Sequence, residues 1–163
     1  CKKRGIRISL DPNIRAPLIF DPDNYRARIK RLMKIADILK LSDEDLQWLY
    51  EGKNEKAGLE EILSVTNADI VMLTKGNQGS VVWHHNTWYS HPALPVNEIK
   101  DTVGAGDTFM ASLLVFLSKH KLLEKLGELD LSKKKALMHY ASNAAALNCK
   151  KHGCNPPWAN DLI

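Results

Sequence analysis

Asp101-Thr102-Val103-Gly104-Ala105-Gly106-Asp107-Thr108-Phe109 sets two glycines and an alanine directly ahead of a carboxylate, at the mouth of an apolar run. A Gly-Ala-Gly turn lets backbone N–H groups approach a ligand with no side chain in the way. The run that follows carries Phe109, Leu113, Leu114 and Leu117 on one stripe, which predicts a helix from Gly106 to about His120. N–H groups at the head of a helix, with its dipole behind them, favour negative charge. Asp107 would then stand where it could take a proton from a hydroxyl that attacks a phosphorus held by those donors. The same residues also suit a plain turn with a dipole-compensating Asp, and on this stretch alone both readings stay open.

Working outward, strands and helices alternate. Ile6–Leu10 reads as a short strand ending at Asp11-Pro12-Asn13, and the Lys-Lys-Arg ahead of it as a last helical turn capped by Gly5. Asp23–Lys34 has helical character and Ile35–Leu41 reads as a buried strand. Ser42 is a candidate N-cap with Asp45 at the capping-box position, followed by a helix through Trp48 and another from about Lys56 to Val65. Ile70–Thr74 is a third strand, and Gly79–Tyr89 alternates and turns at His85-Asn86, as a hairpin does. An Ala-rich helix closes the pattern from about Ser132 to Cys149. This alternation predicts an α/β fold with a mostly parallel sheet in three layers, whose ligands bind beyond the carboxyl ends of the strands.

The 163 residues, 44% of them hydrophobic, suffice for one domain spanning 1–163. A net charge of +4 is compatible with anionic ligands, but the basic clusters read as solvated faces, so no nucleic-acid partner is expected. No run is long enough to span a membrane, and three cysteines without framework spacing suggest a reducing, cytoplasmic setting.

Other segments carry candidate chemistry. Asp11-Pro12-Asn13-Ile14-Arg15 is good turn chemistry, and it also puts an amide and a guanidinium beside a strand end, where Asn13 and Arg15 could meet sugar or phosphate oxygens. Thr74-Lys75-Gly76-Asn77-Gln78-Gly79 is a glycine-spaced loop without a P-loop ending, equally suited to lead into the hairpin. Cys149, His152 and Cys154 invite a zinc reading but lack an evident fourth ligand.

The string D-T-V-G-A-G-D-T-F resembles the second signature of the PfkB, ribokinase-like family of sugar kinases, with Ser112 departing from the usual Ala or Gly in the helix behind it. The resemblance covers nearly the whole chain but only the C-terminal half of that family's fold, and implies an N-terminal half and lid outside this sequence. It implies ATP-dependent phosphorylation of a sugar's primary hydroxyl, with Asp107 as base and Gly104, Ala105 and Gly106 cradling the transferred phosphoryl group. D-P-N-x-R looks like the fructokinase and 2-keto-3-deoxygluconate kinase branches; fructose is the favoured sugar, with 2-keto-3-deoxygluconate, or a non-catalytic nucleotide- or partner-binding fragment, as the alternatives.

Further roles follow from the same resemblance. Thr74, Gly76 and Gly79 would form the nucleotide loop, and Asn143 and Gly153 would lie on the adenine side. Lys40 and Asp45, in an element with Ser42 where the family has Asn, would act on the Mg²⁺–phosphate network, Asp45 through water. Carbonyls near Asp101 and Val103, with others between Cys149 and Cys154, would form a monovalent-cation (K⁺) site. In full-length form the family's lid offers a route to a homodimer.

Overall fold

Short apolar runs separated by capped helices fold as the alternation predicts. The computed structural model describes residues 1–162. It divides into a first unit, Cys1–Thr74, and a second unit beginning at Lys75.

In the first unit, strand β1 (Ser9–Leu10) leads through helix α1 (Pro22–Met33) to β2 (Ile38–Ser42), then through α2 (Asp43–Leu49) and α3 (Glu55–Val65) to β3 (Ile70–Thr74). β1 pairs with β2 and β2 with β3, both in parallel, in a register running from Ile38 opposite Ile70 to Ser42 opposite Thr74. Right-handed crossovers advancing in one direction put all three helices on one face of this sheet. Accordingly, the Thr66 hydroxyl donates to the Met33 carbonyl (2.9 Å) and Arg26 reaches the Trp48 carbonyl (3.2 Å). Ile38, Leu39, Leu41 and Ile70 to Leu73 are buried, the continuous apolar run usual in parallel strands. Each such side chain contributes about 1.5–3 kcal/mol through burial.

Each α-helix of this unit starts at a side-chain cap. Asp21 accepts from Asn24 N–H with Pro22 at the first helical position, and Asn54 accepts from Ala57 N–H. Ser42 and Asp45 form the expected capping box, reciprocally bonded at 3.0 and 2.9 Å. β1 is shorter than Ile6–Leu10 because the Asp37 carboxylate takes the Ile8 N–H (2.8 Å) and also binds Lys2 (2.7 Å) and Arg7 (2.9 Å). Those side-chain contacts join the backbone bonds that the Ile8 carbonyl accepts from the Asp37 and Ile38 N–H groups (2.8 and 3.2 Å), and Ile6 stays exposed.

In the second unit, β4 (Ser80–His84) and β5 (Thr87–His91) form the antiparallel hairpin. His85 and Asn86 both take positive φ, 48° and 58°, as a tight two-residue hairpin turn requires. Helix α4 (Ala105–Lys119) buries Phe109, Met110, Leu113, Phe116 and Leu117, while Leu114 is only half-buried. Helix α5 (Leu131–Cys149) starts at the Asp130 cap and buries Leu137, Ala141, Ala144 and Asn148 on one stripe. Phe116 and Tyr140 meet at 5.8 Å where α4 packs on α5.

Candidate active site

The predicted site residues fall into the two units, and each group has its own geometry. In the first unit the segment Asp11–Arg15 is anchored at two points. Lys40, buried in the otherwise apolar strand β2, donates to Asp11 at 2.9 Å, and both side chains of the pair are largely withdrawn from solvent. Asp45, also buried, receives the Ile14 N–H on one oxygen (2.7 Å) and the Ser42 N–H on the other. The residue expected to act on Mg²⁺ through water is therefore a clamp that ties the Asp11–Arg15 loop to the start of α2. Between the anchors Asn13 is exposed at φ 45°. Arg15 is exposed too and bends back toward the Ile14 carbonyl (3.2 Å). Thr74 closes the unit with its hydroxyl on the Leu41 carbonyl (3.3 Å).

In the second unit the glycine-spaced loop is one 3₁₀ turn, Gly76–Gln78, closed by Lys75 N–H to the Gly79 carbonyl (2.8 Å). Gly76 is exposed and Gly79 is buried at φ 89°. The Asp101–Asp107 turn is built more firmly. Gly104 takes φ 77° as the N-cap of α4, a conformation that strains any residue with a Cβ. A Cβ there would also collide with the Cys154 sulfur and stand 2.8 Å from the Cys154 Cβ. Ala105 N–H turns back to the Thr102 carbonyl (3.1 Å), so this donor of the expected cradle is engaged within the turn. The first helical bond is Thr108 N–H to the Gly104 carbonyl (2.8 Å), which places the Gly106 and Asp107 N–H groups ahead of it at the positive end of the helix.

Asp107 itself is exposed, as a group that must meet a substrate has to be. Beside it Thr108 is buried, and its hydroxyl has no hydrogen-bond partner among the described residues. A helix head with open N–H groups, an orphan hydroxyl and an exposed carboxylate fits a phosphoryl group and the alcohol that attacks it.

The end of α5 holds this turn in place. Asp101 accepts Val103 N–H (3.0 Å) and Gly153 N–H (2.9 Å), and these two bonds hold its carboxyl below the usual carboxylate range. Lys100 N–H donates to the Cys149 carbonyl (2.8 Å). Asn148, fully buried, donates to the Val103 carbonyl (2.8 Å) and accepts the Asn155 N–H (2.9 Å). Gly153, at φ 67°, thus meets the turn through its N–H.

Asn148 was not among the sequence candidates. Asn143, the polar residue singled out on this helix, is half-buried and five positions earlier, about 140° away around the helix axis. Both asparagines interrupt an Ala-rich stretch, and only the fold shows which one faces Val103. Burial, reinforced by the Asp101 charge, pushes the Cys149 thiol up. Among the described residues no three His, Cys, Asp or Glu side chains come together as a metal site, and no helix is long and apolar enough to cross a membrane.

A family model described as pfkB family carbohydrate kinase matches residues 1–161, and the chain belongs to that family. A fructokinase of Rhizobium leguminosarum bv. trifolii is 40% identical over 119 residues, 72% of this chain and 36% of its own length. Among solved structures, a fructokinase double mutant of Vibrio cholerae O395, in a fructose-, ADP- and potassium-bound form, matches with a TM-score of 0.78 at 27% identity. That match covers 91% of this chain and 46% of the fructokinase. Aminoimidazole riboside kinase from Salmonella enterica, at 21% identity, has the same fold over 99% of this chain and 52% of its own, with a TM-score of 0.84. The fold is therefore the ribokinase-like α/β fold. The chain spans 36–45% of the length of its first curated relatives.

Proposed function

We propose that this chain is the C-terminal, nucleotide-binding and catalytic portion of an ATP-dependent sugar kinase whose acceptor is the primary hydroxyl of fructose. The observation that carries the reading is the turn itself, with Gly104 at φ 77°, open N–H groups at Gly106 and Asp107, and an exposed carboxylate on the same helix head. The substrate is the Mg²⁺ complex of ATP, in which the ion neutralises phosphate charge. The sugar oxygen bonds to the γ-phosphorus, the bond from phosphorus to the β–γ bridging oxygen breaks, and the hydroxyl proton passes to Asp107. The donors at the head of α4 stabilise charge on the transferring group. The buried Lys40–Asp11 and Asp45–Ile14 anchors present Asn13 and Arg15 as sugar- or phosphate-contacting groups on a fixed loop.

The resemblance to curated fructokinases at 40% and 33% identity supports fructose over other sugars. Cysteines that carry no disulfide suit a reducing cytoplasm. The test is ADP release by the full-length protein over a panel of ketoses, aldoses and keto-deoxy acids. Fructose is expected to lead in kcat/KM by about tenfold or more, the scale that polar contacts to substrate hydroxyls supply. A lead by 2-keto-3-deoxygluconate would reassign the sugar, and no sugar-dependent release at all would favour a binding module.

A further inference from the structure

His91 joins two parts of the second unit that the sequence keeps apart. It ends strand β5 directly opposite Ser80 in the hairpin register, so both side chains lie on one face. That face meets α5, where the His91 ring approaches the Ser142 hydroxyl (3.4 Å) and the His139 ring (5.8 Å between centroids). The backbone of the same residue seats the glycine-spaced loop, because the His91 carbonyl occupies the place of a Cβ on Gly79. Gly79 in turn closes that loop, donating its N–H to the Gly76 carbonyl (3.1 Å) and accepting the Lys75 N–H (2.8 Å). A positive charge on the buried ring finds little support. From α5 it faces the exposed His139 ring, of like sign when protonated, while Lys134 on that helix reaches Thr87 at the far end of β5. β4 offers it the neutral Ser80, and its own segment offers the Pro92 carbonyl. Burial first, and the His139 charge after it, outweigh that carbonyl and disfavour the imidazolium.

We propose that His91 is a positioning residue for the nucleotide loop, holding it against α5 at neutral pH and releasing it in acid, so that nucleotide binding weakens as pH falls. The neutral ring shares its contact with Ser142 and keeps the end of β5, and with it the seat of Gly79, on α5. A proton adds a charge that the site disfavours, so the ring is drawn toward water and the seat shifts with it. His91 touches no reacting atom and acts through the loop. The consequence for ATP rests on the kinase reading above, but the release of the loop does not.

The experiment uses the full-length protein between about pH 7.5 and 5.5 and has two readouts. The first is hydrogen exchange without nucleotide at 75–79, where the Lys75, Gln78 and Gly79 amides are hydrogen-bonded, corrected for the intrinsic exchange rate. The second is calorimetric affinity for the Mg²⁺ complex of a non-hydrolysable ATP analogue, whose own titration is common to every variant. Wild type is expected to lose about fivefold in both protection and affinity across the range, within the tenfold per pH unit that one proton allows. His91→Gln keeps a hydrogen-bonding end for Ser142 but cannot charge, so both slopes should flatten. His139→Gln, at an exposed position, removes the like charge, so the same losses should set in at a higher pH. Wild-type protection that is flat with pH, a slope that survives in His91→Gln, or an onset that His139→Gln leaves in place would overturn the proposal. Should His91→Gln fail to fold, the onset in His139→Gln decides alone. In steady-state kinetics, acid should raise the wild-type KM for ATP more than it lowers kcat. A wild type inactive on every sugar, with the expected exchange pattern, would refute the kinase reading alone. An active wild type whose loop exchange is flat with pH would refute the role of His91 alone.

Discussion

Gly79 lies directly under the carbonyl of His91: a Cβ on it would overlap that oxygen and stand 2.8 Å from the Ala93 nitrogen. The proposed nucleotide loop is thus seated on the end of β5, and its last glycine is required by backbone contact as well as by its φ of 89°. Gly79→Ala is expected to destabilise the protein by about 2 kcal/mol or more, from left-handed strain plus a clash that no rotamer relieves. Gly76→Ala, with open space around its Cα, should cost only the strain, about 1 kcal/mol. Urea unfolding of the two variants would show this order, and equal losses would contradict it.

The Lys40–Asp11 pair predicts an asymmetry of a different kind. Removing one partner leaves a largely buried charge, so Lys40→Met is expected to cost about 3 kcal/mol. The double variant Lys40→Met/Asp11→Leu should recover much of that loss, because both desolvation penalties go together. A double-mutant cycle by denaturant unfolding measures it, and additive losses would mean that the pair does not act as a unit.

His91 gives a prediction in pH. Burial, with the nearby His139 ring as a smaller cause, holds its imidazole below the ordinary value near 6.5. The ring faces Ser142 (3.4 Å) and His139 (5.8 Å between rings) on α5, while Lys134 on the same helix reaches Thr87 at the other end of β5. A histidine with a depressed folded-state pKa binds more protons unfolded than folded. Its stability contribution is therefore complete above about pH 6.5 and declines as pH falls below that value. His91→Gln is expected to flatten the slope of unfolding free energy against pH between 6.5 and 5, in denaturant titrations at a series of pH values. An unchanged slope would assign the acid sensitivity elsewhere.

The sequence made the local elements legible where the signals were local. β3 matches Ile70–Thr74 to the residue because a short apolar run is bounded by Asp69 on one side and Gly76 on the other. The capping box from Ser42 to Asp45 and the turn at His85-Asn86 are four-residue and two-residue patterns with their own geometry. What could not be read were pairings across long separations. Asp37 shortening β1, Asp45 reaching back to Ile14, and Asn148 meeting Val103 45 residues earlier all depend on the fold. The type of each residue was visible, but its partner was not. The Gly104 turn was legible as a candidate, whereas the reason for its rigidity lies in a helix end that shows only Ala-rich composition in sequence.

The central claim is that Asp107 accepts the proton of the attacking sugar hydroxyl, and Asp107→Asn in the full-length protein tests it most directly. The carboxylate is exposed on the first turn of α4, so the amide should leave the fold intact. Turnover of fructose with ATP is expected to fall by about 10²–10⁴-fold, the range for loss of a positioned general base, while ATP binding measured by calorimetry stays close to wild type. Turnover within about tenfold of wild type would contradict the assignment of Asp107 as the base.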